Sequence, residues 1–312
     1  MMLPPSWEGH AGAPTAFLIA LSEPMIGLSD ESMSAAPSRS TFGGRAGMGQ
    51  PGLAAAMAGA DLLLGHFVME FATPGIGPIV AAAGAEFLVL DMEHSGFGFE
   101  TVKQVAVSCR LIDLPLVVRV PAKHADLVGR ALDMGADAVM APMVSSAEEA
   151  RLLAAATRYP PDGRRGVATM IAHDLWRGGD LADKLRSANE RSLLIAQIET
   201  EEGVEAADAI AATPGVGCLW IGHMDLSCSL GINGAFEHPR FRRAEEKVAA
   251  AARAHGRRLG RLAASAGDAV SLVERGYDMV AVATDIIALQ AHLRAAFDDV
   301  RANCRTDAKT VG

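Results

Sequence analysis

The chain alternates between short runs of consecutive apolar residues and longer stretches in which apolar residues recur every three or four positions. The short runs, such as EFLVLD at 86–91 and SLLIAQIE at 192–199, are rich in Leu, Ile and Val. Continuous apolar strands of this length are typical of a parallel sheet that is covered on both faces. The longer stretches, such as DLVGRALDMGA at 126–136, have a helical period and often end in a glycine that can cap a helix.

This alternation predicts repeated βα units, and eight of them favour a closed α/β barrel, the single-domain (β/α)8 or TIM barrel, over a doubly wound sheet. We predict a barrel domain over 52–303 and a C-terminal tail at 304–312. Residues 1–51 are rich in Pro, Ser, Gly and Ala without a sustained period, so we predict a poorly ordered N-terminal extension. The predicted strands are 61–69, 86–91, 115–120, 137–142, 192–199, 216–222, 257–263 and 278–283.

The composition and charge of the chain argue against a nucleic-acid-binding protein, a membrane protein and a secreted protein. The net charge of −9 and the lack of a basic stripe argue against nucleic acid as a partner. No apolar run approaches about 18 residues without charge or proline, so we predict no membrane partner. The segment 13–28 has no basic residue before it and contains Glu23 and Pro24, which argues against a signal peptide. Four cysteines without a CxxC spacing indicate reduced thiols and a cytoplasmic protein.

Polar side chains stand where several of the predicted strands end. In a (β/α)8 barrel the carboxyl ends of all strands meet at one face, where active sites lie. We therefore expect these side chains to lie close together. They are Asp91, Glu93 and His94 after the second strand, Arg119 in the third, Glu199 at the end of the fifth, and Asp225 just after the sixth.

Glu199 and Asp225 are candidate ligands for a divalent cation. Carboxylates are hard oxygen ligands, and two of them leave coordination positions of Mg²⁺ or Mn²⁺ open for water and a bidentate substrate. The alternative is that each acid only caps the following helix; Asp225, which precedes LSCSLG, suits an N-cap. The matching positions of the two acids, together with His94 and Arg119, favour the metal site.

His94 and Arg119 are candidate catalytic residues. A histidine close to a carboxylate such as Asp91 is held in one tautomer and suits a general base, although a core histidine is the alternative. Glu93 is a weaker candidate for orienting His94 or the waters of the cation. Arg119 lies within the apolar run LVVRV and needs an anion, either a substrate oxygen that gains charge or one of the neighbouring acids.

Two further segments could bind anions. Free N–H groups from Gly222 to Leu226 lead into a short helix and could hold a carboxylate. Arg164 and Arg165 lie in the long loop RYPPDGRRGVATM (158–170), and they either bind anions or pair with acids at a subunit interface. Long loops in compact domains are often functional.

Five segments together resemble the HpcH/HpaI aldolases, metal-dependent class II pyruvate aldolases of the 4-hydroxy-2-oxoheptanedioate aldolase type. They are DMEH, RVPAKHADLVGRALDMGADAVMAPMV, RYPPDGRRGV, QIET and IGHMDLSCSLG, and the resemblance covers about residues 60–295. It implies a (β/α)8 barrel that assembles as a homo-oligomer, a hexamer or trimer, with the last helix packed on a neighbouring subunit. It also implies a lyase that reversibly cleaves a 4-hydroxy-2-oxoacid to pyruvate and an aldehyde.

The resemblance implies a role for each site residue. Glu199 and Asp225 would hold Mg²⁺, Mn²⁺ or Co²⁺, to which pyruvate binds through its carboxylate and 2-oxo oxygens. Arg119 would stabilise the enolate oxygen, and His94, oriented by Asp91, would move protons by way of a water. The remaining substrate contacts would come from Gln197, Gly222, His223, Met224 and Leu226.

The chain departs from the family pattern near the predicted mouth of the barrel. His223 replaces the proline of the usual GPxDLS, Arg261 replaces an apolar residue, and Glu70 follows the first strand. These three residues and the 158–170 loop predict an altered aldehyde specificity, since Arg261 or a protonated His223 would favour an acidic or hydroxylated acceptor. Two other functions stay open: an acyl-CoA lyase or decarboxylating enzyme with the same enolate chemistry, and a non-catalytic oligomeric barrel.

Overall fold

The computed structural model describes residues 52–304 of the chain. Within that range, eight parallel strands form a closed barrel in the order of the sequence, and the first strand pairs with the last. The predicted (β/α)8 barrel is therefore confirmed. The predicted extension at 1–51 lies outside the described residues, as do residues 305–312 of the predicted tail.

Each predicted strand matches an observed one, with ends that differ by at most two residues. The apolar runs thus locate the strands well, because most residues on both faces of the strands are buried. The strands are β1 (Leu63–Val68), β2 (Phe87–Asp91), β3 (Leu116–Arg119), β4 (Ala138–Ala141), β5 (Leu193–Ile198), β6 (Val216–Ile221), β7 (Arg258–Ala263) and β8 (Met279–Thr284).

Helices surround the barrel, and a short 3-10 helix, Ala172–Asp174, precedes α6. The helices are α1 (Leu53–Gly59), α2 (Ile76–Ala82), α3 (Phe99–Leu111), α4 (Ala125–Asp133), α5 (Ala147–Thr157), α6 (Leu181–Arg191), α7 (Glu201–Glu205), α8 (Ala207–Ala211), α9 (His223–Ser229), α10 (Pro239–Ala254), α11 (Ala266–Glu274) and α12 (Asp285–Asn303). In the described part of the chain, no helix is both long and apolar enough to cross a membrane.

The alternation of side chains along each strand divides the core into two layers. Residues such as Phe87, Val89 and Val117 fill the barrel interior, whereas their neighbours in sequence pack against the helices. Side chains two positions apart lie on the same face of a strand. The next inward positions after Val89 and Val117 are Asp91 and Arg119, which are paired in register. The strand period therefore places polar groups over the apolar interior at the carboxyl ends of the strands, which we call the mouth.

Candidate active site

Asp91 and Arg119 form a bidentate ion pair at the mouth. The Arg119 Nε and Nη2 atoms donate to the two carboxylate oxygens of Asp91 at 2.7 Å each. Both side chains are almost completely buried, and the guanidinium lies over the Phe67 ring, 5.0 Å from its centroid. Burial opposes the charge of Arg119, but the hydrogen bonds and charge of Asp91 outweigh it and raise the Arg119 pKa. Arg119 is thus fixed as a cation.

Glu93 extends this ion pair towards His94. The Glu93 Oε2 atom lies 3.2 Å from Arg119 Nη1 and 3.8 Å from His94 Nε2. Asp91 accepts from the backbone N–H groups of Glu93 and His94 at 2.9 and 3.3 Å, and its carboxylate holds Arg119 rather than the imidazole. The acid beside the His94 ring is therefore Glu93, whereas the sequence led us to expect Asp91. The His94 side chain is 55% exposed and faces the solvent at the mouth.

Glu199 is buried and held by two neutral donors. Its Oε1 accepts from Gln197 Nε2 at 2.7 Å, and its Oε2 accepts from the backbone N–H of Met143 at 2.8 Å. The same Met143 residue has a left-handed φ of 56° and accepts from Lys123 Nζ at 2.9 Å through its carbonyl. Sequence reasoning missed this peptide, since nothing in the sequence pattern marks a methionine for that conformation.

Gly222 lies directly against Glu199, at the start of α9. A Cβ atom at position 222 would stand 2.2 Å from Glu199 Oε1, closer than any real contact, so only glycine fits. Gly222 is also the N-cap of α9, and Asp225 lies in the first turn of that helix with its side chain exposed. The close approach of strand β5 and helix α9 thus brings the region of Asp225 next to Glu199.

Negative charge is in excess at this site. Burial raises the pKa of Glu199 to about 7, and the charges of Glu93 and Asp225 add to the shift. Burial likewise raises the pKa of Glu93, against the charge of Arg119. Three carboxylates therefore lie close enough to interact, and Arg119, the cation beside them, is already shared with Asp91.

The residues present fit a divalent cation with few protein ligands. Within residues 52–304, no three His, Cys, Asp or Glu side chains converge as a metal site. Two carboxylates are sufficient for Mg²⁺, which keeps several waters and completes its shell with substrate oxygens. The buried Oε1 of Gln197 and Oε2 of Glu93 have no hydrogen-bond partner among the described residues, and such unsatisfied oxygens are consistent with a cation or a water at this site.

Two of the proposed specificity residues occupy other environments than we predicted. Arg261 is 4% exposed and faces the helical layer, where it donates to Glu245 Oε1 at 2.8 Å and lies between Phe236 and Phe241. The prediction that Arg261 meets the substrate is therefore wrong, because Leu259, Arg261 and Ala263 share the outward face of β7.

His223 lies at the mouth but is neutral at neutral pH. Its ring makes an edge contact with Phe236, with the centroids 5.1 Å apart. Burial and the nearby charge of Arg261 lower the His223 pKa to about 4. The prediction of a protonated His223 that binds acidic aldehydes is wrong for neutral pH. Met224 is exposed beside it, whereas the Leu226 side chain is buried in the core.

The 158–170 loop lies at the opposite end of the barrel from the mouth of its own chain. It follows the C-terminus of α5, and Tyr159 in it accepts and donates hydrogen bonds with Asn189 near the end of α6. Arg165 donates to Asp133 Oδ1 at 2.6 Å and stacks over Tyr159, whereas Arg164 is exposed. The predicted place of the loop at the mouth of the same chain is therefore wrong. Arg165 pairs with an acid of its own chain, and the roles in anion binding or at a subunit interface stay predictions.

Sequence reasoning also missed Asp285, which holds the loop after β1. The Asp285 carboxylate accepts from the backbone N–H groups of Met69, Glu70 and Phe71 at 3.0, 2.9 and 2.7 Å. Asp285 is 6% exposed, and the loop that it holds carries the exposed side chains of Glu70 and Phe71 at the mouth. The contact joins residues more than two hundred positions apart, so no local signal in the sequence indicates it.

Comparisons with known proteins agree with this architecture. A sequence model described as HpcH/HpaI aldolase/citrate lyase matches residues 67–291, which is more than two thirds of the chain. The 5-keto-4-deoxy-D-glucarate aldolase of Escherichia coli (strain K12) is 36% identical over 208 residues, which cover 67% of this chain and 80% of that protein.

Two solved structures extend the similarity to three dimensions. The HpcH/HpaI aldolase from Desulfitobacterium hafniense DCB-2 matches with a TM-score of 0.76 and 32% identity over 80% of this chain and 97% of that one. The citrate synthase SbnG matches with a TM-score of 0.72 and 26% identity over 81% of this chain and 98% of that one.

Proposed function

The chain belongs to the HpcH/HpaI aldolase/citrate lyase family and is an aldolase, and we propose that it reversibly cleaves a 4-hydroxy-2-oxoacid to pyruvate and an aldehyde. The observation that carries this proposal is the cluster of carboxylates of Glu93, Glu199 and Asp225 around Arg119 at the mouth. The excess of carboxylates is suited to a divalent cation, and the cation together with Arg119 would in turn bind an anionic substrate.

The proposed reaction needs two proton transfers and a group that stabilises the negative charge on the enolate oxygen. A base removes the proton of the 4-hydroxyl, the C3–C4 bond breaks, and its electrons pass to the 2-oxo oxygen as the enolate of pyruvate. The aldehyde leaves, and a proton added to C3 completes the methyl group of pyruvate. Stabilising the enolate oxygen is the main electrostatic task of the enzyme.

Arg119 is suited to that task. Asp91 takes two of its five N–H donors and fixes the guanidinium plane. Glu93 lies 3.2 Å from Nη1, so a substrate oxygen would use the second N–H of Nη2 or compete with Glu93 for the donors of Nη1. His94 is the proposed proton carrier, since its exposed ring stands beside Glu93 at the edge of the cluster. A positioned base of this kind accelerates a reaction by roughly a hundred- to ten-thousandfold.

Glu199 and Asp225 would hold the cation, Mg²⁺, Mn²⁺ or Co²⁺. Such a cation supplies Lewis-acid polarisation of the 2-oxo oxygen. Gln197 and the Met143 peptide orient Glu199, and Gly222 leaves room for its carboxylate. Gly222, His223, Met224 and Leu226 are the proposed contacts of the substrate carboxylate. The N–H groups of Gly222 and Leu226 already donate to the carbonyls of Ile198 and Gly222, so His223 and Met224, in the first turn of α9, would supply the free donors.

The experiment is an assay of pyruvate release from a panel of 4-hydroxy-2-oxoacids with chelator-treated enzyme, with and without added Mg²⁺, Mn²⁺ or Co²⁺. The panel includes 5-keto-4-deoxy-D-glucarate, which contains the same 4-hydroxy-2-oxoacid unit as the other members. We expect activity to disappear on chelation and to return with metal. Full activity in protein that elemental analysis shows to be metal-free would refute the proposal that the reaction needs a divalent cation.

A pair of variants separates the site from its surroundings. Glu199→Gln should abolish metal-dependent activity, whereas Glu202→Gln, an exposed acid in the next helix, should keep it.

His94→Ala should slow the exchange of pyruvate methyl protons in heavy water much more than it weakens pyruvate binding. Unchanged exchange would remove His94 from the mechanism. Activity on acyl-CoA thioesters or decarboxylation without aldol cleavage would favour the alternative enolate enzymes.

We further propose that the aldolase is a cytoplasmic homo-oligomer, a hexamer or a trimer. Helix α12 supports this: of its 19 residues only Asp285 is buried, and the helix leaves a row of apolar side chains exposed, Ile287, Leu289, Leu293, Phe297 and Val300. Exposed apolar surface of this kind marks a protein interface. Phe297→Glu should shift the mass measured by light scattering to smaller species, and an unchanged mass, or a monomeric parent, would contradict the assembly.

A further inference from the structure

A cavity of about 410 Å³ lies at the amino-terminal end of the barrel, opposite the mouth. We call it the amino-end cavity. Its walls come from the segments that lead into β3, β4 and β5, including Pro115, Asp137 and Arg191. Gly52 forms one side and fits closely, since a Cβ there would stand 2.5 Å from the Arg191 side chain. No residue of the proposed reaction lines this cavity, and its size suits a small ligand.

Two arginines in the amino-end cavity share one carboxylate. Arg110 Nη1 and Arg191 Nε each lie 3.5 Å from Asp137 Oδ1, while Asp137 Oδ2 accepts from the backbone N–H of Leu116. The Nε atoms of both arginines are buried without a hydrogen-bond partner among the described residues. Buried guanidinium donors are normally satisfied, so these two lack an acceptor. Burial and the charge of Arg191 lower the pKa of Arg110 to about 10, which leaves it charged at neutral pH.

Most other charges that line the cavity are already paired. Lys184 donates to Asp174 at 2.6 Å, and Arg186 donates to Asp183 at 2.5 Å. Asp180 caps α6 by accepting from the backbone N–H of Asp183. Within residues 52–304, Asp137 is thus the one acid in ion-pair contact with Arg110 and Arg191.

Arg177 adds a third guanidinium to that side. It is exposed at the rim, its charge is close enough to act on Arg110, and its side chain has no ion-pair partner within residues 52–304. The acids of the lining without a full ion pair are Asp137, which is shared and also bonded to the backbone, Asp113 at the exposed edge, and Asp180, which caps α6. None of them accepts from the buried Nε atoms of Arg110 and Arg191, so an anion with several oxygen atoms would satisfy these donors.

We propose that the amino-end cavity binds a small anion with two or more negative charges, held by Arg110, Arg177 and Arg191. Phosphate groups and di- or tricarboxylates carry such charges, and guanidinium groups bind both in a bidentate manner. The buried Nε donors of Arg110 and Arg191 would hold the inner oxygens, and Arg177 would close the rim. The site is separate from the mouth, so it does not depend on the proposed reaction.

The experiment is isothermal titration of the full-length, metal-free protein with inorganic phosphate and, separately, with citrate. We expect saturable binding of at least one probe with a dissociation constant of about 1 mM or tighter, because several charge-assisted contacts form in a partly buried site. Binding of phosphate alone would assign a phosphoryl ligand, and binding of citrate alone would assign a carboxylate ligand. No saturable binding of either probe up to about 10 mM would refute the site.

Three variants locate the binding. Arg177→Gln and Arg191→Gln should each weaken it by about tenfold, whereas Arg186→Gln, which lines the same cavity but is paired with Asp183, should change it by less than about twofold. Arg177 is exposed, so its variant should fold even if Arg191→Gln does not. If the Arg177 variant binds like the parent, or if saturating pyruvate displaces the probe, the anion binds elsewhere and the proposal is wrong.

Discussion

The two ends of the barrel show opposite imbalances of charge. At the mouth, Glu93, Glu199 and Asp225 lie around Arg119, which is already bound by Asp91. At the amino end, Arg110 and Arg191 share the single carboxylate of Asp137, and their buried Nε atoms have no hydrogen-bond partner among the described residues. Like charges gathered in a partly buried place cost stability unless a ligand of opposite sign joins them. The comparison therefore supports the two proposals, a cation site at the mouth and an anion site at the amino end.

The two imbalances also differ in how pH acts on them. Carboxylates can take up protons when no cation is present, and the pKa of Glu199, raised by burial to about 7, lies near neutral pH. At the amino end, Arg110 is still charged at neutral pH, because its pKa, lowered by burial, is about 10. Lowering the pH should therefore reduce the repulsion between the carboxylates at the mouth, and it should leave the charge of the arginines at the amino end unchanged.

The largest expected effect comes from filling the space beside Glu199. Gly222→Ala would place a Cβ atom 2.2 Å from Glu199 Oε1, which forces the carboxylate or α9 to move. We expect a loss of kcat/KM of a hundredfold or more, roughly the cost of misplacing a catalytic group by 1 Å. Steady-state kinetics of pyruvate release measure it.

Gly98→Ala is the matched control for this variant. Gly98 also lies near the mouth, precedes α3 with an ordinary φ of −103°, and has open space where the Cβ would stand. It should retain nearly full activity. Normal activity in the Gly222 variant would show that Glu199 need not keep its position, which would weaken its assignment as a metal ligand.

The second prediction uses pH to sharpen the comparison. The Glu199 pKa rises from 4.5 to about 7 on folding, so between these pH values the folded state binds more protons than the unfolded state. The free energy of unfolding of the metal-free protein should therefore fall as pH rises through this window, by at most about 3 kcal/mol from Glu199. Urea denaturation at pH values across the window measures the change.

Glu199→Gln isolates this contribution. His223, whose pKa is lowered to about 4, acts in the opposite direction. Its contribution to the free energy of unfolding is lost as the pH falls from 6.5 towards 4, because the unfolded state then binds the proton more readily. Subtracting the variant from the parent cancels the His223 term, and the difference should decline with pH. Added Mg²⁺ should flatten the decline in the parent. A difference in the free energy of unfolding that is constant with pH would show that burial does not shift the pKa of Glu199.

A third prediction concerns a carboxylate that is satisfied without any cation. Asp285 accepts three backbone N–H groups of the loop after β1, so Asp285→Ala leaves those donors unpaired. We expect a loss of about 2–4 kcal/mol in the free energy of unfolding, since hydrogen bonds to charged groups contribute about 1.5–3 kcal/mol each and water replaces some of them.

Asp298→Asn, in the same helix, is the control for Asp285. Asp298 is exposed and paired with Arg301, and its loss should cost less than about 1 kcal/mol. The KM for the aldehyde in the synthetic direction should rise in the Asp285 variant, because the loop carries Glu70 and Phe71 at the mouth. Equal stability of the two variants would show that the loop does not depend on Asp285.

The smallest expected effect is a change in preference among aldehydes. Proline is compatible with the first position of α9, so His223→Pro restores the residue of the common family pattern without breaking the helix. We expect the relative rates with different aldehydes to change by a few-fold, about the size of a lost packing contact with Phe236. The same aldehyde ranking as the parent would make His223 a bystander.

The sequence determined the strands, the order of the βα units and the group of polar residues at the strand ends. This was possible because continuous apolar runs and a period of two are local properties, and because the carboxyl ends of parallel strands must meet. Asp91, Arg119 and Glu199 stand at the mouth for that reason. The roles of His94, Gln197 and Asp225 in the reaction stay predictions.

Only the tertiary structure decided which groups touch. It assigned Asp91 to Arg119 rather than to the His94 ring, turned Arg261 towards Glu245, and put the 158–170 loop at the amino end. It also revealed Asp285 and the amino-end cavity, where contacts join distant parts of the chain. The period of a strand tells which face a side chain occupies, but its partner there depends on helices and loops whose positions are set by the packing of the whole barrel.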